Sequence, residues 1–144
     1  MKTIFVNGTF DLLHRGHIEL LNYAKNIGKD LINDPIGNLN YVCVGIDTDD
    51  RVKQMKGPTR PIHNQEERKF FLENLKAVDE VRFFSNDAEL EGLVKSFKPD
   101  IMVVGSDWKE KSVIGSYYAA ELKFFDRIND YATTRTIESI IDRG

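Results

Sequence analysis

The sequence predicts a single α/β domain over residues 1–144, a doubly wound parallel sheet with helices on both faces. Three observations predict it. Short β-prone runs alternate with amphipathic helical segments along the chain. The run Tyr41 to Ile46 (YVCVGI) is apolar almost throughout, as a strand buried on both faces requires. The first strand passes into the first helix through a glycine turn, with no repeat or low-complexity segment interrupting the alternation.

Lys2 to Asn7 (KTIFVN) is the first strand, closed by Gly8. From His14 to Gly28, the residues Ile18, Leu21, Ala24 and Ile27 recur at helical steps with Leu20 beside them, and Gly28 ends the helix. Lys29 to Asn40, with Pro35 and Gly37, reads as an irregular excursion. Tyr41 to Ile46 follows as the second strand. Asp47 to Asp50 then fall at the carboxyl edge, where open α/β sheets hold their ligands. Arg51 to Pro61 (RVKQMKGPTRP) is polar, basic and broken by Gly57, Pro58 and Pro61, which predicts a loop.

Asn64 caps a helix whose face is Arg68, Phe71, Leu72, Leu75 and Ala77. Val81 to Phe84 is a third strand. Asp87 to Phe97 carries Leu90, Leu93, Val94 and Phe97 at helical spacing and stops before Pro99; Ile101 to Val104 is a fourth strand ending in Gly105. Tyr118 to Phe125 fits either a helix or a strand. Thr133 to Asp142, with Ile137, Ile140 and Ile141 on one side, is a last helix capped by Thr133 or Thr134.

Composition narrows the function. Hydrophobic residues at 41% and charged residues at 30% are those of an ordinary globular domain. No apolar run approaches the roughly 18 residues of a membrane span, and the N-terminus lacks the apolar stretch of a signal peptide, so no membrane partner and a cytoplasmic location are expected. A formal net charge of −3 argues against a nucleic-acid partner. Cys43 is the single cysteine and lies in an apolar run; it excludes an internal disulfide and reads as a buried side chain. A small molecule is the expected partner.

The chemistry concentrates in GTFDLLHRGH, Gly8 to His17. The backbone N–H groups near Asp11 to Gly16 lie at a helix N-terminus over the sheet's carboxyl edge, where unpaired donors and the helix dipole attract phosphate. His14 and His17 project from one face, and Gly16 removes a side chain where a ligand would approach the backbone. Taken alone, such a pair also fits a metal site, completed by Asp11, or an incidental surface pair. Lys53, Lys56 and Arg60 alone fit a solvated loop, Arg68 a charged helix surface, and Trp108 a core anchor as well as a stacking platform.

GTFDLLHRGH resembles the Gly-x-Phe-Asp turn and His-x-Gly-His tetrad of the nucleotidyltransferase superfamily that contains the cytidylyltransferases. KGPTRPIHNQEERKFFLENLKAVDEV, Lys56 to Val81, is similar to that family's lysine loop and arginine-bearing helix, in a spelling nearest the heptose-phosphate adenylyltransferases. PDIMVVGSDW, Pro99 to Trp108, and YATTRTIESI, Tyr131 to Ile140, resemble its fourth-strand and last-helix motifs. The resemblance implies a Rossmann-like HxGH nucleotidyltransferase fold.

It also implies roles. Gly8, Thr9 and Phe10 line a triphosphate, with Asp11 and Gly16 in the same nucleotide-binding turn. His14 and His17 grip phosphate oxygens and stabilise a pentacoordinate phosphorus. Lys53 or Lys56 balances phosphate charge, Arg68 faces the β- and γ-phosphates, and Asp49 and Arg60 meet the acceptor. Gly105, Asp107 and Trp108 border the nucleoside, and Thr133 and Thr134 set a helix terminus against pyrophosphate. The implied reaction is in-line attack of a sugar- or polyol-phosphate on the α-phosphorus of a nucleoside triphosphate, with Mg2+ accompanying the nucleotide, in a homodimer. Heptose 1-phosphate adenylyl transfer comes first and glycerol-3-phosphate cytidylyl transfer second. Asp130, Tyr131 and Ala132 depart from the family's Gly-x-Ser, which keeps open a non-catalytic nucleotide- or metal-binding module. A dehydrogenase and a P-loop kinase lack their glycine motifs here.

Overall fold

Five strands, β1 (Thr3–Gly8), β2 (Tyr41–Asp47), β3 (Glu80–Phe84), β4 (Ile101–Gly105) and β5 (Glu121–Phe125), lie in the order β3-β2-β1-β4-β5 with every neighbouring pair parallel. The computed structural model describes residues 1–29, 32, 39–106, 111–126 and 133–143. The chain runs outward from β1 to β3, then crosses back to lay β4 on the other side of β1. Strand order therefore reverses between β1 and β4, and the place where open α/β sheets form a ligand crevice, at the carboxyl ends of these strands, lies between Gly8 and Gly105.

The helices are α1 (Arg15–Asn26), α2 (Asp49–Lys56), α3 (Gln65–Glu73), α4 (Asp87–Phe97) and α5 (Thr133–Arg143). Alternation along the strands sorts the core into two layers. Ile4 and Val6 of β1, Val42, Val44 and Ile46 of β2 and Val103 of β4 face Leu21 and Ala24 of α1 and Leu72 of α3. Phe5, Cys43 and Met102 face the other way, against Leu90 and Val94 of α4. Helices thus cover both faces, as the doubly wound reading expects. Gly45 sits where an added Cβ would come within 2.8 Å of the Phe5 ring, so the aromatic in β1 requires the glycine in β2.

Where boundaries moved, local chemistry explains it. Residues 51–61, expected as a loop, begin as helix α2: Thr48 caps it, Asp49 and Asp50 occupy the positive end and Lys53 and Lys56 the negative end. Only Val52 of this helix is buried, which is why no apolar stripe announces it. Helix α3 stops at Glu73 rather than reaching Ala77, yet Leu75 and Ala77 still pack on the core from the following turn. The ambiguous segment resolves into a 3-10 turn at Ser116–Tyr118 and the edge strand β5. Asn40, fully buried at the end of the expected excursion, donates from its amide to Ala24 O and Ile27 O and so closes α1. Ile140 and Ile141 on α5 remain exposed instead of packing on the domain.

Candidate active site

The turn from β1 to α1 is built under backbone strain. Phe10 and Leu12 both adopt left-handed φ, 52° and 50°, in a segment where neither is glycine. Phe10 is 3% exposed, and its ring folds back to within 3.0 Å of where a Gly8 Cβ would stand, so Gly8 is required by Phe10. The same ring lies 5.1 Å from the His17 ring and backs it from the core side. Burial of one aromatic thus fixes the turn and one imidazole together.

His14 is the N-cap of α1. Its Nδ1 accepts from Gly16 N–H at 3.1 Å, and His17 Nδ1 accepts from His14 N–H at 3.2 Å. The two rings stack with centroids 3.8 Å apart and planes inclined by 23°. The sequence reading assigned the backbone donors of this turn to phosphate. In the structure two of them, His14 and Gly16, are engaged by imidazole nitrogen.

Arg68 differs most from its expected role. It is 0% exposed: Nε donates to His63 O at 3.0 Å, Nη1 to Thr9 O at 3.0 Å and Asp47 O at 2.8 Å, and Nη2 to Asp49 Oδ1 at 2.8 Å. A guanidinium enclosed this way organises the carboxyl edge from beneath and has no face turned to β- and γ-phosphates. Asp49, expected at the acceptor, is that arginine's ion-pair partner. Thr9, expected as a triphosphate donor, gives its hydroxyl hydrogen to Asp47 Oδ2 at 3.0 Å.

Asp47 is the residue that sequence reasoning undervalued. It accepts from Thr9 on one oxygen and from Arg51 Nε on the other, at 2.8 Å, while Arg51 also reaches Asp87 and lies over the Phe84 ring. The available signal was a carboxylate directly after a strand buried on both faces, with an arginine four residues on. Asp11, 1% exposed, accepts from Ile62 N–H at 2.7 Å and His63 N–H at 2.9 Å. It therefore fastens the segment after Pro61 to the turn, a scaffolding role in place of direct nucleotide contact.

Among the described residues, Arg60 and Lys56 are two cations beside Asp11. The Arg60 guanidinium lies 3.8 Å from Asp11 with a side chain only 11% exposed, and its Nε and Nη2 are buried without a hydrogen-bond partner among the described residues. Lys56 is near enough to feel Arg60, Asp47, Asp11 and Arg68; loss of hydration, then repulsion from Arg60, pulls its ammonium below the usual lysine value. Lys53 is exposed, and its carbonyl accepts from Gly57 N–H. Gly105 has open space where a Cβ would be. Asp107, Trp108 and the 130–132 segment lie outside the described residues, as do the side chains of Thr133 and Thr134, whose backbone opens α5.

Against a resident zinc, Asp11 and both Nδ1 atoms are already committed to backbone N–H groups, and among the described residues no group of three His, Cys, Asp or Glu could hold a metal ion. No helix among them is long and apolar enough to cross a membrane.

A parallel sheet with its order reversal between β1 and β4, and a histidine-bearing helix terminus on that crevice, define the class of α/β nucleotidyltransferase domains. The chain belongs to the cytidylyltransferase-like family, whose model matches residues 5–124. It is similar to the Bifunctional protein HldE of Sulfurimonas denitrificans, 42% identical over 139 residues, and to that of Helicobacter hepaticus, 41% identical over 139 residues. Each alignment takes in 96% of this chain and 27% or 26% of the relative, so the chain spans about a quarter of the curated relatives' length. The lipopolysaccharide core biosynthesis protein of Thermoplasma volcanium shares the fold, with a TM-score of 0.67 at 21% identity over 90% of this chain and 99% of that one.

Proposed function

We propose that this domain transfers a nucleoside monophosphate from a nucleoside triphosphate to the phosphate of a sugar or polyol, releasing pyrophosphate. The observation that carries the reading is the stacked His14 and His17 pair, set at the start of α1 on the crevice between β1 and β4. An acceptor phosphate oxygen attacks the α-phosphorus in line; the new O–P bond forms as the bond to the β-phosphate oxygen breaks. Neither step needs a covalent enzyme intermediate, so positioning and charge stabilisation are the protein's tasks.

His14 and His17 donate to oxygens on the reacting phosphorus. Lys56 and Arg60 meet the acceptor phosphate, which supplies the partner that the buried Arg60 N–H groups lack among the described residues. Phosphate binding also offsets the desolvation, and then the repulsion from Arg60, that together depress Lys56. Mg2+ accompanying the triphosphate would be held by phosphate oxygens, which are hard ligands, and would supply charge neutralisation there.

Heptose 1-phosphate with ATP is the favoured pair, supported by the KGPTRP spelling and by similarity to HldE proteins; glycerol 3-phosphate with CTP is the second. A cytoplasmic homodimer is part of the same reading, with Ile62 and Phe70 as exposed apolar side chains beside the site. A panel of triphosphates against both acceptors, scored by pyrophosphate released, tests it. Release with ATP and heptose 1-phosphate is expected. Nucleotide binding without release from any pair would instead identify a binding module.

A further inference from the structure

Helix N-termini are ordinarily closed by Ser, Thr, Asp or Asn, and a Glu or Gln three residues on completes the reciprocal box. Helix α1 has histidine at both places. Gly16 N–H donates to His14 Nδ1, His14 N–H donates to His17 Nδ1, and His14 has the extended backbone of a cap residue, φ −134° and ψ 176°. A ring nitrogen that accepts a hydrogen bond carries a lone pair and no proton. A neutral imidazole has one such nitrogen; an imidazolium has none.

From these two bonds we infer that the histidine pair is a reciprocal imidazole cap, which fixes both rings as neutral tautomers protonated at Nε2. Each then offers a neutral N–H to a phosphoryl oxygen, in place of a positive charge or a base. The stacking agrees: centroids 3.8 Å apart suit two neutral rings, whereas two imidazolium ions at that distance repel. The spacing of the motif is therefore set by helix capping, and phosphate contact is what the cap leaves to Nε2. The donor role rests on the proposed function; the cap and its tautomers do not.

The test separates the two nitrogens. Asparagine places an amide oxygen where Nδ1 was and has nothing at Nε2; glutamine reaches the Nε2 position and loses the acceptor at Nδ1. In the full chain at neutral pH, side-chain 15N spectra are expected to show Nδ1 unprotonated and Nε2 protonated for both rings, assigned by the signals lost in His14→Asn and His17→Asn. Those two variants are expected to melt with the parent, and His14→Gln and His17→Gln to melt about 2–4 °C lower. Inorganic pyrophosphate is expected to move the Nε2 signals and leave the Nδ1 signals in place. Pyrophosphate release is expected to fall about 100-fold in the asparagine variants. A proton on either Nδ1, or asparagine variants that melt as low as the glutamine ones, overturns the inference. Correct tautomers and melting in a protein that releases no pyrophosphate from any triphosphate would uphold the cap and reject the transferase reading.

Discussion

Arg68 Nη1 donates to two backbone carbonyls at once, Thr9 O at 3.0 Å and Asp47 O at 2.8 Å, and so ties the end of β1 to the end of β2. No side chain other than arginine can reach His63 O, Asp49 Oδ1 and both carbonyls together, because that takes several donors in one plane. The carboxyl edge is thus assembled around a buried cation before any ligand arrives.

Arg68→Ala is expected to destabilise the domain by about 3–5 kcal/mol, since it strands Asp49 and three carbonyl oxygens. Urea denaturation followed by circular dichroism measures this directly. A loss under about 1 kcal/mol would mean that the four bonds are not what joins the strand ends.

Lys56 and Lys53 sit one helical turn apart but in different surroundings. Lys56→Ala is expected to lower kcat/KM for pyrophosphate release by about 100-fold, and Lys53→Ala to leave it within about twofold. Steady-state kinetics on the two variants decides which lysine serves phosphate; the reverse ranking would move the acceptor site along α2.

Asp11→Asn keeps the size of the side chain and removes its charge beside Arg60. Because Asp11 accepts from both Ile62 and His63 N–H groups, hydrogen exchange at those two amides is expected to accelerate by about tenfold or more, while the core of β1 stays protected. Mass-spectrometric exchange on overlapping peptides reads both. Unchanged protection at residues 62 and 63 would contradict the tie.

Cys43 faces the apolar layer under α4, and burial pushes its thiol from 9.0 up to about 12. Tyr41 rises from 10.0 to about 12, chiefly because its hydroxyl donates to Glu80, with burial adding to the effect. In both cases the unfolded chain releases its proton first. Their contribution to stability is intact below about pH 9 and is lost as pH climbs toward 12. Chemical denaturation across that window is expected to show falling stability, and iodoacetamide to label Cys43 only after unfolding. Rapid labelling of the native protein would place the thiol elsewhere.

Much of the fold was legible because apolar period is a strong signal: β2, α1 and α4 declare themselves by continuous or helical spacing. Helix α2 did not, since one buried residue makes no stripe and its order comes from Thr48, paired acids and paired lysines. The site was legible by residue type and less so by role. His14 and His17 open α1 at the spacing the motif suggests, while Lys56 ends helix α2 instead of lying in a loop. Arg68, Asp11, Asp49 and Thr9 carry the right letters, yet each is turned toward protein partners. A linear sequence names donors and acceptors but does not say whether backbone carbonyls 21 or 59 residues away will claim them first.

The strand order has a consequence for how such a domain diversifies. The imidazole turn hangs from β1, flanked by a strand on each side and sealed by aromatic packing, so its geometry is tied to the stiffest part of the molecule. Lys56 and Arg60 belong to a short helix, which a single buried residue, Val52, ties to the core, and to the stretch that follows it. Mutation can rework that outer wall to suit a new second substrate while the catalytic grip is inherited unchanged.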